Sequence, residues 1–170
     1  MELRDELIVL RPWREDDAQA VYAACQDPET QRWLPTLPRP YTRDDADAFV
    51  TDALGLGPHQ FAITEQENVV GSIGLALAKH EAGHIGYWCV PAVRRKGITT
   101  RATRRVCRFA FDDLRLERLA VTADVENVAS QRVAEKVGFQ REGVLRSHIR
   151  YAGGSRRDFV LLSLLPGELR

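Results

Sequence analysis

The sequence predicts an α+β fold, and three observations carry that expectation. Short runs of β-forming residues lie at 7–10, 61–63, 69–78, 84–90 and 119–124, the lengths and compositions of strands. Between the last two, apolar residues recur at Ile98, Ala102, Val106, Phe109, Ala110 and Leu114, the spacing of one face of a long helix. The whole order is strand, two helices, three strands, helix, strand, helix, two strands, which suits a mostly antiparallel meander followed by helix-linked strands.

Taken along the chain, residues 7–10 form an apolar strand that Arg11-Pro12 ends. Asp16 is placed to cap a helix from about Asp17 to Cys25, whose apolar face is Ala18, Val21, Tyr22 and Cys25. Asp27-Pro28 breaks it. Residues 32–41, with Trp33, Leu34, Leu37 and three prolines, read as a stiff apolar loop. Thr42 followed by Asp45 resembles a capping box for a second helix reaching about Leu54. Strands at 61–63, 69–78 and 84–90 come next, then the long helix, the strand at 119–124, and a shorter helix over 128–137 that Gly138 ends. Strands near 140–149 and 157–165, joined through Gly153-Gly154, close the chain.

Composition narrows the class. The chain has 170 residues, 44% hydrophobic and 28% charged, and a net charge of +0. That length fits one domain, 1–170, with room for a proper core. Balanced charge argues against a partner held mainly by electrostatics, so no nucleic acid is expected. The N-terminus has no signal-peptide pattern, and no apolar run approaches the roughly 18 residues of a membrane span. Cys25, Cys89 and Cys107 are far apart and form no metal or redox motif. They suit reduced, packed thiols in a cytoplasmic protein, and no metal is expected. Monomer and homodimer both stay open.

The chemistry concentrates after residue 84. A strand ends near Cys89-Val90, a turn follows with Arg94, Arg95, Lys96 and Gly97, and a helix begins at Ile98-Thr99-Thr100. The first N–H groups of a helix have no intrahelical acceptor and sit at the positive end of its dipole. A glycine there lets an anion approach the backbone closely. The stretch therefore predicts a site for a phosphate-bearing ligand.

Arg94 to Gly97 resembles the R-x-x-G core of the acyl-CoA loop of the GNAT N-acetyltransferases. The segment from Asn127 through Ser130, Val133, Lys136, Gly138, Phe139 and Glu142 to Gly143 is similar to the N-x-x-S-x-x-V-x-x-K-x-G-F-x-x-E-G signature of the RimJ/RimL branch, which acetylates protein N-termini, notably of ribosomal proteins. The likeness spans about residues 7–165. It implies the GNAT fold: a mixed, mostly antiparallel central sheet with helices on both faces, splayed between its fourth and fifth strands, here 84–90 and 119–124. Acetyl-CoA or another short acyl-CoA would lie in that gap as co-substrate.

The resemblance also implies roles. Arg94, Arg95, Lys96, Gly97, Ile98, Thr99 and Thr100 would surround the pyrophosphate, although the family often has Gly or Ala where Thr99 stands. Arg101, Arg104, Arg105 and Arg108 read as a solvated helix face, with one of them a candidate for the 3′-phosphate. Asn127 would cap its helix and bond the pantetheine arm. Ser130 would be the acid for the departing thiolate, since the position where many relatives carry a tyrosine is Ala134. Backbone N–H groups near Cys89 and Val90 would stabilise the oxyanion. Trp33 and Leu34 would wall the acceptor amine, and Glu142 would orient it. No base aligns with a family residue, so Glu81, His84 and His148 stand as candidates by type. The expected reaction is direct acyl transfer to a primary amine, foremost a protein or peptide N-terminus. A small-molecule amine, a succinyl donor and a non-catalytic acyl-CoA-binding module are the alternatives.

Overall fold

The computed structural model describes residues 1–52, 55–151 and 153–170. Its strands are β1 (Leu3–Arg4), β2 (Val9–Pro12), β3 (Gln60–Glu65), β4 (Asn68–Ala78), β5 (Ala82–Cys89), β6 (Arg118–Asp124), β7 (Gln140–Arg150) and β8 (Arg156–Leu164). They form one sheet in the order β1-β2-β3-β4-β5-β6-β8-β7. Every pairing is antiparallel except β5 with β6. The helices are α1 (Ala18–Cys25), α2 (Pro28–Trp33), α3 (Arg43–Val50), α4 (Ile98–Arg108) and α5 (Val128–Val137), with α4 prolonged by a π-turn, Phe109–Asp113.

The parallel pair decides the architecture. It holds only three register positions, Ala82 with Arg118, Gly83 with Leu119 and His84 with Ala120. Beyond His84 the strands part, and α4 makes the crossover between them, as a parallel connection requires.

Two apolar clusters cover the two faces. Ile98, Ala102 and Val106 of α4 and Phe109 of the π-turn join Ala134 and Val137 of α5 against Phe61, Ile73, Ile85, Leu119 and Leu162. On the other face Ala18, Val21 and Cys25 of α1 meet Ala46 and Val50 of α3, with Trp13, Tyr41 and Trp88 packed around them. Successive side chains of a strand point to opposite faces. Thus Tyr87 belongs to the first cluster and Trp88 to the second.

Several local expectations change. The strand β1 was not expected. Asp16 does not cap α1. Instead the Asp17 carboxylate accepts two bonds from the Arg11 guanidinium at 2.7 and 2.8 Å and one from the Arg14 N–H at 2.9 Å, and Glu15–Asp17 form a 3-10 turn before α1. Asp27-Pro28 breaks one helix and starts another: Asp27 accepts from the Thr30 N–H, and Pro28 sits in the first turn of α2, where its missing N–H costs nothing. The capping box at Thr42 and Asp45 forms as read. The helix it starts ends at Val50, and the expected extension through Ala53 and Leu54 lies outside the described residues.

Candidate active site

The site is built where β5 and β6 part. Val90 donates its N–H to the Val70 carbonyl at 2.9 Å, so that donor is committed to β4 and is not free for an oxyanion. Alternate residues of an antiparallel strand turn their N–H groups to the same side. Trp88 therefore faces β4 with Val90, while Cys89 and Tyr87 turn their backbones toward the gap.

At the end of the gap the chain turns through a 3-10 turn, Pro91–Val93, into α4. Arg95 has a φ of 65° and Gly97 a φ of 80°, both left-handed. The N–H groups of Gly97, Ile98, Thr99 and Thr100 have no protein acceptor among the described residues, and no side chain caps the helix. Arg95, Lys96 and Gly97 are exposed. This row of free donors, with Arg95 and Lys96 exposed beside it, is suited to receive an anion.

Arg94 is placed differently. Its guanidinium turns to α2, meeting Asp27 at 2.5 Å, Glu29 at 2.9 Å and Thr30 at 3.1 Å. On the far side of the gap Arg32 of α2 meets Glu126 at 3.1 Å. So α2 spans the mouth of the gap, tied to the turn after β5 and to the turn after β6. Desolvation opposes the charged form of Asp27, but the bonds from Arg94 and Thr30 outweigh it and hold its carboxyl below the usual range. The arginines of α4 are partly spoken for as well. Arg101 pairs with Asp5 at 2.8 Å, Arg105 donates to the Arg4 carbonyl at 3.2 Å, and Arg104 donates to the carbonyl of Arg170.

Across the gap, Asn127 caps α5 by accepting the Ser130 N–H at 3.1 Å. Tyr87 reaches over from β5. Its hydroxyl donates to the Ser130 carbonyl at 3.0 Å and accepts from the Ser130 hydroxyl at 3.3 Å. Burial pushes the Tyr87 phenol up to about 12. Tyr87 escapes a sequence reading because a tyrosine in an apolar strand looks like core.

On the opposite face, His84 sits at the last paired position and its Nε2 lies 3.1 Å from the Thr122 hydroxyl. Its ring is crowded by neighbours, yet more than a third of the residue's surface reaches solvent. Desolvation, then the charge of His148, lower its pKa, so it is neutral at pH 7. His148 stands 5.7 Å from the ring of Phe159, and Tyr151 6.4 Å from Phe159. Tyr151 in turn lines a cleft of about 610 Å³ between the hairpin of β7 and β8 and the loop after α2, with Pro35, Pro38, Arg39 and Arg150. Trp33 and Leu34 do not line this cleft; the Arg32 guanidinium covers the Trp33 ring at 4.5 Å.

Two expected residues lie apart from the opening. Glu81 is exposed in the turn before β5, at the paired end. Glu142 is held by Arg118 at 3.0 Å and by the Ser163 hydroxyl. Arg118 begins β6, whose seven residues put that end roughly 20 Å from Asp124.

A sheet split between two parallel strands, with free backbone donors at the start of the following helix, is the arrangement that the resemblance to acyl-CoA-dependent acetyltransferases implies. The comparisons agree. Residues 8–140 match the model of the acetyltransferase (GNAT) domain, and the chain belongs to that family. The uncharacterized N-acetyltransferase YoaA of Bacillus subtilis is 29% identical over 171 residues, covering 96% of each chain. A GNAT-family acetyltransferase structure from Bacillus anthracis superposes with a TM-score of 0.88 at 26% identity, covering 97% of this chain and 98% of that one. Mycobacterium smegmatis RimJ, solved in complex with CoA-disulfide, has a TM-score of 0.82 at 25% identity, over 95% of this chain and 83% of that one. The RimJ likeness supports the branch read from the second motif. No helix among the described residues is long and apolar enough to cross a membrane.

Proposed function

We propose that this N-acetyltransferase moves an acetyl group from acetyl-CoA to the α-amine at the N-terminus of a peptide or protein. The observation that carries the reading is the opposition of two faces at one gap: His84 lies on one side, and Ser130 with Tyr87 on the other. A nucleophile and a leaving group at one carbonyl need that separation.

The residues present fit the co-substrate. The pyrophosphate would accept from the N–H groups of Gly97 to Thr100, flanked by Arg95 and Lys96. Arg94 serves as a brace between that turn and α2. The pantetheine arm would lie along the free edge of β5, with the Asn127 amide nitrogen, which has no partner among the described residues, as a further donor. The Cys89 N–H is the oxyanion donor that remains once Val90 is excluded. His84, beside the gap through its contact with Thr122, takes the amine proton through water, because Cys89 lies five positions further along β5. The thiolate leaves toward Ser130. Holding amine and carbonyl together removes much of the entropic barrier.

The base points to the acceptor. A histidine with a lowered pKa is a weak base, and an α-amine, at about 7.7–8.0, needs far less help than a lysine, at about 10.4. The RimJ/RimL-like signature at Asn127–Gly143 supports the same class of acceptor. Initial rates with acetyl-CoA should be higher on short peptides with a free N-terminus than on N-blocked peptides containing lysine. Equal or better rates on the blocked peptides would overturn the α-amine assignment.

A further inference from the structure

We propose that Tyr87 is the positioning residue of the leaving-group side: it orients the Ser130 hydroxyl and completes a donor chain, Tyr87 to Ser130 to sulfur, that stabilises the departing CoA as a thiolate. The inference rests on the acyl-transfer reading above. It changes the part Ser130 plays from acid to hydrogen-bond donor.

The geometry comes from two elements that only the fold brings together. Tyr87 is on β5 and Ser130 in the first turn of α5, on opposite sides of the gap. Ser130 is held at both ends of its backbone, its N–H by Asn127 and its carbonyl by the Tyr87 phenol. Its hydroxyl has one proton, and that proton points to Tyr87. A phenol has one donor and two acceptor sites. Tyr87 can therefore hold the serine hydroxyl and still turn its own O–H. One turn further along α5 stands Ala134, fully buried and without a donor.

Acidities decide what moves. The Tyr87 phenol, at about 12, is a weaker acid than a thiol near 8.5 by roughly a thousandfold or more. An aliphatic hydroxyl is weaker still. Neither will surrender its proton to a thiolate, so both stay protonated through the reaction. As the C–S bond breaks, its electron pair stays on sulfur. The Ser130 O–H turns from Tyr87 to the sulfur, and the Tyr87 O–H turns from the carbonyl to the Ser130 oxygen. The proton lost by the amine leaves through His84 to solvent, so the products are the amide, the thiolate and one proton. Hydrogen bonds in such a chain polarise one another, and a donor to an anion is stronger than one to a neutral group.

The test titrates the thiol of bound CoA by the ultraviolet absorbance of its thiolate. On the full wild-type chain the bound thiol should titrate below about 8.5. Tyr87→Phe, which keeps the packing, should raise it toward that value. The same variant should lower kcat by about tenfold, at the modest end of what proton-transfer and donor groups contribute, and leave the affinity for acetyl-CoA, which has no thiol to ionise, unchanged. Ser130→Ala should raise the thiol pKa at least as far, and the double variant no further, because the chain is already cut. An unshifted thiol in Tyr87→Phe, or effects that add fully in the double variant, overturn the donor chain and leave Tyr87 a packing residue. Absence of CoA binding to the wild type would instead remove the acyl-transfer reading, and the chain with it.

Discussion

Replacing Asp17 by alanine should destabilise the protein by about 3–5 kcal/mol, the cost of leaving a buried charge without its partner. Arg11 and Asp17 have side chains only 5% and 7% exposed, and they meet in a two-pronged pair. The same carboxylate closes the turn into α1 through Arg14. Removing it strands a guanidinium under the sheet and opens that turn at once. A loss of this size is a third or more of the stability of many domains, which is about 5–15 kcal/mol. Denaturant unfolding measures it. Changing both residues to apolar ones of similar volume should cost much less, because no charge is then left buried. A loss below about 1 kcal/mol for the single change would mean that water reaches Arg11. The pH dependence has a definite sign. Desolvation works against the Asp17 anion, but Arg11 and Arg14 outweigh it and lower the pKa. The pair's contribution is therefore full above the ordinary aspartate value of about 3.9 and fades as pH falls toward the lower folded value.

Gly97→Val should weaken acetyl-CoA binding by more than tenfold, at least about 1.4 kcal/mol. Apart from its chain neighbours, no described atom lies within 4 Å of where a Cβ would stand, so the loss does not come from a clash with the rest of the protein. It has two other sources. A φ of 80° is strained for a β-branched residue, and a side chain there occupies the approach to the free N–H groups. Gly97→Asn separates the two, since asparagine accepts the left-handed region. It should relieve the strain and keep the obstruction. Calorimetry gives both affinities. Wild-type affinity in the valine variant would place the phosphates elsewhere.

Much of the fold was legible because its signals are local. The apolar stripe of α4 and the cap and terminal glycine of α5 are patterns within one element, and each appears where its residues put it. Asp27-Pro28 was open to two readings, since the same pair ends one helix and begins another. Thr30, which donates to Asp27, is the residue that decides. The backbone arrangement after β5 was legible too. The free donors at Gly97 to Thr100 follow from a glycine before an apolar helix. Side-chain partners far apart in sequence did not follow. Nothing near Arg94 announces that it faces Asp27 and Glu29, nor does anything near Glu142 announce Arg118 and Ser163. Tyr87 and His84 lie on opposite faces of one strand, and the parting of β5 from β6 beside them is not announced by any residue near either one.

That parting also leaves open strand edges inside the protein. Past His84 and Ala120, β5 and β6 no longer pair with each other, and an unpaired edge is a template for any extended chain that reaches it. The groups that would receive the pantetheine arm are the same groups that a misfolded neighbour could join. On the proposed placement of CoA, ligand binding and self-association would compete for one edge. The empty enzyme should cloud at a lower temperature on heating than the enzyme saturated with CoA, by light scattering at equal concentration. Equal onset with and without CoA would show that α2, latched across the mouth, already guards the edge.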